Sequence, residues 1–286
     1  MKKVALITDS TCDLPKEWIK QYDIKVIPLQ IIYKEAEYQD GIDLTTQEIY
    51  DNLDKEVPKT SLPSIGKTLD FIDDLKAQEY TDILAIHISG NLSGTVKMLE
   101  SLREKITNKG LNLYIIDSKS VSMGVGFLVL KAKSLLDEDL ALSEIVEKLE
   151  SFKKEIKVFF VVKTLDFLRK GGRIGLVEGA IGDILNIKPI IGVNEEGVYH
   201  TEAKVRGWNR ALNKLFETAK DVIGNKKAKI GILHGVTIEE ANNLVEKSKN
   251  ELKTVSGEDI MIGYIGAGIC VHSGPEVVGI VVCPEE

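Results

Sequence analysis

Three short apolar runs, each ending in a polar cluster, constrain this chain more than any other feature. They are residues 4–9 (Val-Ala-Leu-Ile-Thr-Asp), 82–88 (Asp-Ile-Leu-Ala-Ile-His-Ile) and 112–117 (Asn-Leu-Tyr-Ile-Ile-Asp). A strand that is apolar on both faces must be covered on both sides, which is the situation of a parallel sheet flanked by helices. Helical patterns fill the intervals. Asp13 is placed to cap a helix near 14–22 with Pro15 in its first turn, and Thr45 with Glu48 forms a capping box for 46–54. Ile65, Leu69, Ile72 and Leu75 mark one apolar face for 65–77, and Val96, Leu99, Leu102 and Ile106 do the same for 95–107. With right-handed crossovers this alternation gives a three-layer α/β/α unit built on a parallel sheet.

The charged helical stretch 137–155 leads into a new apolar strand at 158–162, and 286 residues suit two domains. The reading is an N-terminal α/β domain over 1–155 and a smaller C-terminal α+β domain over 156–286. In the second half, 188–193 and 198–204 flank Asn194-Glu195-Glu196-Gly197, a hairpin signal. A helix near 208–223, a strand at 228–233, a helix at 238–252 opened by Thr237 and Glu240, and strands near 259–265 and 277–283 complete it.

Composition removes several function classes. Lys plus Arg number 37 against 44 Asp plus Glu, a net charge of -7 with the signs well mixed, which argues against nucleic-acid binding. No apolar run approaches the roughly 18 residues of a membrane span, and Met1-Lys2-Lys3-Val4 runs directly into Thr8-Asp9-Ser10 without a signal-peptide core, so a cytoplasmic location is expected. Cys12, Cys270 and Cys283 are odd in number and lack metal-type spacing; they read as small buried apolar residues. His87, His200 and His234 have no metal-ligand spacing either. Nucleotide signatures fail when spelled out. Gly90-Asn91-Leu92-Ser93-Gly94-Thr95 lacks the lysine of a phosphate loop, and Gly124-Val-Gly126 and Gly266-Ala-Gly268 lack the third glycine of a dinucleotide fingerprint. Ser93 stands three residues after Gly90, not the two that a hydrolase elbow requires. Neither a metal nor a cofactor is expected.

Small hydroxyl residues fall where such a sheet binds ligands. Thr8 and Ser10 follow the first strand, Thr60-Ser61-Leu62-Pro63-Ser64 precedes a helix, Ser89 and Ser93-Gly94-Thr95 follow the second, and Ser118, Ser120 and Ser122 follow the third. Helix-end N–H groups and hydroxyls gathered at one edge suit an anion, although Ser93 alone would serve as a helix cap. Two further segments carry polar chemistry: Lys170-Gly171-Gly172-Arg173, a basic glycine-flanked turn, and His272-Ser273-Gly274-Pro275, read as a glycine-rich loop. The turn is either ordinary surface or a place for negative charge, and His272 is either a structural histidine or a donor.

These segments resemble the DegV family of bacterial fatty-acid-binding proteins, which includes the binding subunit of fatty acid kinase. The resemblance runs end to end. It rests on Thr8-Asp9-Ser10-Thr11-Cys12-Asp13-Leu14-Pro15, Pro28-Leu29, Thr60-Ser61-Leu62-Pro63-Ser64, Leu92-Ser93-Gly94-Thr95, Asp117-Ser118, Lys170-Gly171-Gly172-Arg173-Ile174, Lys188-Pro189 and His272-Ser273-Gly274-Pro275, in family order. It implies a long-chain fatty acid buried between two α/β domains, with its carboxylate held by Thr60, Ser61, Ser93 with Gly94, and His272. It further implies that Arg173 forms the polar end of the site or a contact with a partner. The sequence departs from the family pattern at Gly90, where a second serine is frequent, and at Glu276, where glycine is usual.

The resemblance also implies a non-catalytic carrier, monomeric, whose partner is a separate ATP-dependent fatty acid kinase, with room for transient contact with a membrane surface. The competing reading is a hydrolase or an acyl or phosphoryl transferase with Ser93 as nucleophile and His272 as base. No third orienting group can be assigned to that pair.

Overall fold

The computed structural model describes residues 3–53, 55–138, 140–180 and 186–285. Met1 and Lys2 of the N-terminal run, Asp54 at the end of the expected 46–54 helix and Asp139 in the 137–155 stretch lie outside them. The chain opens with β1 (Val4–Asp9), a 3-10 turn over Ser10–Cys12, α1 (Lys16–Gln21) and β2 (Lys25–Ile27). A small antiparallel sheet follows, in which β3 (Gln30–Ile32) pairs with both β4 (Glu37–Gln39) and β5 (Lys59–Ser61), and α2 (Thr46–Tyr50) lies in the connection. Next come α3 (Ile65–Ala77), β6 (Asp82–His87), α4 (Thr95–Asn108) and β7 (Asn112–Asp117). The order β2-β1-β6-β7 is parallel throughout, so the three expected strands stand side by side and β2, too short to show as an apolar run, adds a fourth.

Two helices lead onward, α5 (Met123–Leu136) and α6 (Leu142–Phe152), then β8 (Lys157–Val162), the short α7 (Asp166–Lys170) and a 3-10 segment over Gly175–Ala180. The hairpin of β9 (Ile187–Val193) and β10 (Tyr199–Arg206) turns at Asn194–Gly197, as the sequence indicates. Then follow α8 (Trp208–Ile223), β11 (Ala228–His234), α9 (Ile238–Glu251), β12 (Ile260–Tyr264), α10 (Ala267–Ser273) and β13 (Val277–Pro284). These strands form a six-stranded sheet in the order β10-β9-β8-β13-β11-β12, antiparallel except for β11 with β12.

The faces of the six-stranded sheet are used differently. On β8 and β13, Phe159, Val161, Val278, Ile280 and Val282 pack with α8, whereas Val158, Phe160, Val162, Val277 and Val281 join an apolar cluster that also takes in Leu6, Leu84 and Ile86 of the parallel sheet. Helix α5 sits inside that cluster, with nine of its residues buried, including Val125, Phe127, Leu128 and Val129. Its first two turns, Met123–Val129, are buried all round and show no polar stripe, so periodicity did not mark the helix.

Local chemistry differs from the sequence reading at several points. The Thr45–Glu48 capping box is present, but its helix stops at Tyr50 and continues as turns. Asp13 does not cap α1, whose N-cap is Pro15; it adopts a left-handed conformation (φ 50°) and accepts hydrogen bonds from Ser122 Oγ and from Gly266 N at 2.9 Å. Thr237 is likewise diverted: its hydroxyl donates to Val277 O at 2.6 Å, while Glu240 accepts from Trp208 Nε1. In both cases a long-range partner wins over the local cap. All three cysteines are buried thiols.

Candidate functional site

The loops at the C-terminal ends of β1 and β6 meet β5, α10 and the turn that follows α7 around a cavity of about 200 Å³. Its wall includes Thr60, Ser61, Ser93, Gly94, Arg173 and His272, every residue singled out in the sequence for the site, although these lie up to 212 residues apart. Thr11, Leu92 and Tyr199 also contribute. Thr11 lay within a quoted motif without being chosen, and Tyr199, at the start of a hairpin strand, carried no sequence signal.

The hydroxyl loops converge as expected, but most of their hydroxyls are used structurally. Ser10 Oγ donates to Asp40 Oδ2 at 2.6 Å, Ser89 Oγ to Gly197 O at 2.8 Å and Ser122 Oγ to Asp13. Among the residues lining the cavity, Thr60, Ser61, Ser93 and Thr11 remain. Thr11 is held by Asp9, which accepts from its backbone N at 3.0 Å and its hydroxyl at 2.5 Å; Asp9 also pairs with the buried His87 Nδ1 at 2.9 Å. Ser93 is not the cap of α4, since Gly94 holds that position; its Oγ lies 2.9 Å from Thr95 Oγ1.

His272 is in the last turn of α10 rather than in a loop. Its Nε2 lies 2.7 Å from Thr60 Oγ1, joining β5 to α10, and its buried Nδ1 has no hydrogen-bond partner. Burial, and then the Arg173 guanidinium, push the imidazole from its usual 6.5 down to about 4. The ring is therefore neutral near pH 7. If Nε2 carries the proton and donates to Thr60, the Thr60 hydroxyl hydrogen is free for a ligand oxygen.

The basic turn acquires a specific geometry. Gly172 alone is left-handed (φ 68°), while Gly171 is needed for close approach, because a Cβ there would lie 2.1 Å from His272 Nδ1. Arg173 Nε donates to Leu92 O at 3.2 Å and an NH1 hydrogen to Gly171 O at 2.5 Å. These bonds fix the guanidinium in the cavity wall, where, among the described residues, it is the charged group and no carboxylate lines the cavity. Lys170 points to solvent. Lys188 serves the strand entry, donating to Lys163 O, and Glu276 pairs with Lys163.

Through Val121, Tyr199, Ile269 and His272 the polar cavity shares lining residues with a second, apolar chamber of about 30 Å³. Val158, Phe160, Leu233, Ile265, Val277 and Val281 line it. The hydroxyls at its edge are already engaged, Ser122 by Asp13 and Ser273 by Gly274 O at 3.1 Å. A hydrogen-bonding, positively charged chamber is thus joined to a greasy one, an arrangement suited to a molecule with an anionic head and an apolar body.

The enzymatic arrangement is not formed in this geometry. Ser93 Oγ is engaged by Thr95 and His272 Nε2 by Thr60, so nucleophile and base are not hydrogen-bonded to one another. Among the described residues no group of histidines, cysteines and carboxylates is placed to hold a metal, and no helix is long and apolar enough to cross a membrane.

Comparison with known proteins gives a consistent result. A family model described as an uncharacterised protein of the DegV family matches residues 3–285. A DegV domain-containing protein of Clostridium acetobutylicum is 41% identical over 283 residues, covering 99% of each chain. Among solved structures, a fatty acid binding DegV family protein from Streptococcus agalactiae superposes with a TM-score of 0.90 at 32% identity, with 100% of both chains covered. A DegV family protein from Thermus thermophilus, described by its fatty acid binding, gives 0.90 at 29% identity, covering 99% of this chain and 100% of that one. By fold and by sequence along nearly its whole length, the chain belongs to the DegV family.

Proposed function

We propose that this protein is a non-catalytic carrier that buries a long-chain fatty acid, carboxylate in the polar cavity and tail in the apolar chamber, and presents the carboxylate to a separate ATP-dependent kinase for acyl-phosphate formation. The observation that carries this reading is the shared wall between the two chambers, one lined by Thr60, Ser61, Ser93, His272 and Arg173, the other by aliphatic and aromatic side chains. The fatty acid binding described for the similar proteins of Streptococcus agalactiae and Thermus thermophilus supports it.

The energetics divide in the same way. Each buried methylene contributes about 0.8 kcal/mol, so a tail of about 16 carbons gains on the order of 10 kcal/mol gross. The head costs free energy unless its oxygens are met by donors, and hydroxyls with a guanidinium nearby meet them. No base is needed in the carrier, because the carboxylate is already the nucleophile of the phosphoryl transfer.

Native mass spectrometry of the full chain purified from cells tests the binding. A co-purifying long-chain acid, released on denaturation, is expected. Protein that emerges ligand-free and fails to take up added fatty acid would overturn the reading. Mixing loaded protein with a matching kinase and ATP, with acyl phosphate as readout, tests the second half.

A further inference from the structure

On the chamber face of β13, side chains alternate inward as Val277, residue 279 and Val281, and the middle one is glycine. Across the ladders Gly279 pairs with Phe160 of β8 and Leu233 of β11, both of which line the chamber. The missing side chain is thus surrounded by four apolar ones, in a strand buried from Val277 to Cys283. Glycine weakens a strand interior, and where it stands in one it commonly marks the close approach of a ligand or another backbone. Packing does not require it here. A Cβ at 279 would meet nothing nearer than Phe159 O and Phe160 Cβ, both at 3.4 Å, which is ordinary contact. Gly231, on the adjacent strand, contrasts with it: a Cβ there would lie 2.9 Å from Met123 Cγ.

We infer that Gly279 is a specificity-determining position for the acyl tail: the space left by its absent side chain admits the distal methylenes of a long unbranched chain. This rests on the carrier reading above and adds to it the residue that sets chain length. Because the interior is close-packed, side-chain carbons added at 279 displace ligand carbons about one for one. Valine at this position removes room for about three of them, alanine for about one.

The test uses the full-length protein, its co-purified acids analysed by mass spectrometry, and titration with saturated acids of increasing length. For Gly279→Val, the preference for the octadecanoic over the tetradecanoic acid is expected to fall by at least ~10-fold relative to the parent, with co-purified acids shifted to shorter chains. Ile280→Val, which faces α8 and not the chamber, should leave the preference unchanged. If the valine variant does not fold, or folds and binds no acid, Gly279→Ala decides, and a shift in the same direction but smaller is expected. A folded, acid-binding variant with the parent's length preference overturns the inference and leaves the carrier reading standing. A parent that binds none of these acids overturns the carrier reading itself.

Discussion

Asp40 Oδ2 accepts a hydrogen bond from Gly268 N, 228 residues later in the chain, at 3.0 Å, and a second from Ser10 Oγ at 2.6 Å. With Asp13, which accepts from Gly266 N, it ties the loops after β1 and β4 to the first turn of α10, the helix that carries His272. Carboxylates at a helix N-terminus meet free N–H groups and the positive end of the helix dipole. The helix that carries His272 is therefore held at its N-terminal end by carboxylates from the first forty residues of the chain.

That anchoring has a pH signature. Asp40 is almost fully buried, and desolvation, opposed by its bonds from Ser10 and Gly268 and reinforced by the charge of Asp9, raises its carboxyl to about 6. A carboxyl raised above its unfolded value favours the folded state when protonated. Its contribution is complete below about pH 4, is lost as pH rises through about 6 and is absent above. Asp40→Asn keeps an acceptor for Ser10 and Gly268 but cannot ionise. Denaturant titrations should show it more stable than the parent at pH 7.5 by about 1–3 kcal/mol, with the difference closing towards pH 4. A constant difference across that range would assign the effect to something other than Asp40 ionisation.

This anchoring also marks where sequence reasoning stopped. The parallel strands were legible because burial on both faces leaves an unbroken apolar run, as in Ile83, Leu84, Ala85 and Ile86. Helix α5 was not, because its first two turns, Met123–Val129, are buried all round and carry no polar stripe. Asp13 and Thr237 were assigned to local caps because a sequence displays neighbours a few residues away, whereas their partners, Gly266 and Val277, lie 253 and 40 residues off. The site residues came through motif order. Their engagement did not: nothing in the sequence says that Thr60 meets His272, or that Gly171 is glycine to make room for that ring.

Ser93→Ala should weaken fatty-acid binding far more than it weakens the fold. In the ligand-free protein Ser93 Oγ interacts with Thr95, accepting from its backbone N at 3.3 Å and lying 2.9 Å from its hydroxyl. Losing these part-buried bonds costs the fold about 1 kcal/mol, while losing a donor to a buried carboxylate costs roughly 1.5–3 kcal/mol, or about 10- to 100-fold in affinity. Isothermal titration and thermal melts on the same samples check both halves. Unchanged affinity would remove Ser93 from the head group.

The depressed pKa of His272 makes a second statement about binding. With the imidazole pushed to about 4 by burial and by Arg173, it stays neutral from pH 6 to 8, so affinity should be flat across that interval. A fall in affinity as pH rises through 6–7 would show instead that the bound carboxylate draws a proton onto the ring. Thr60→Val, which removes the hydroxyl bonded to Nε2, should weaken binding about tenfold at every pH, because it takes away a donor without touching a charge.

On the carrier reading, Arg173 is expected to separate loading from presentation. Its guanidinium is held by Leu92 O and Gly171 O in the wall of the polar cavity; on the carrier reading its charge meets the head group while most of the binding free energy comes from burying the tail. Arg173→Ala should fold, still co-purify with fatty acid, and support acyl-phosphate formation with a matching kinase more poorly. A lost charge-assisted contact of about 2 kcal/mol corresponds to a roughly 30-fold slower rate. The same variant has a readout independent of any kinase. Since the guanidinium contributes to holding the His272 imidazole near 4, removing it should move that histidine upward towards its usual range, measurable by NMR titration of the ring protons. If lipid content collapses together with the rate, Arg173 acts chiefly on the carboxylate in the ground state. If rate, lipid and the His272 titration are all unchanged, the guanidinium only braces the loop between Leu92 and Gly171.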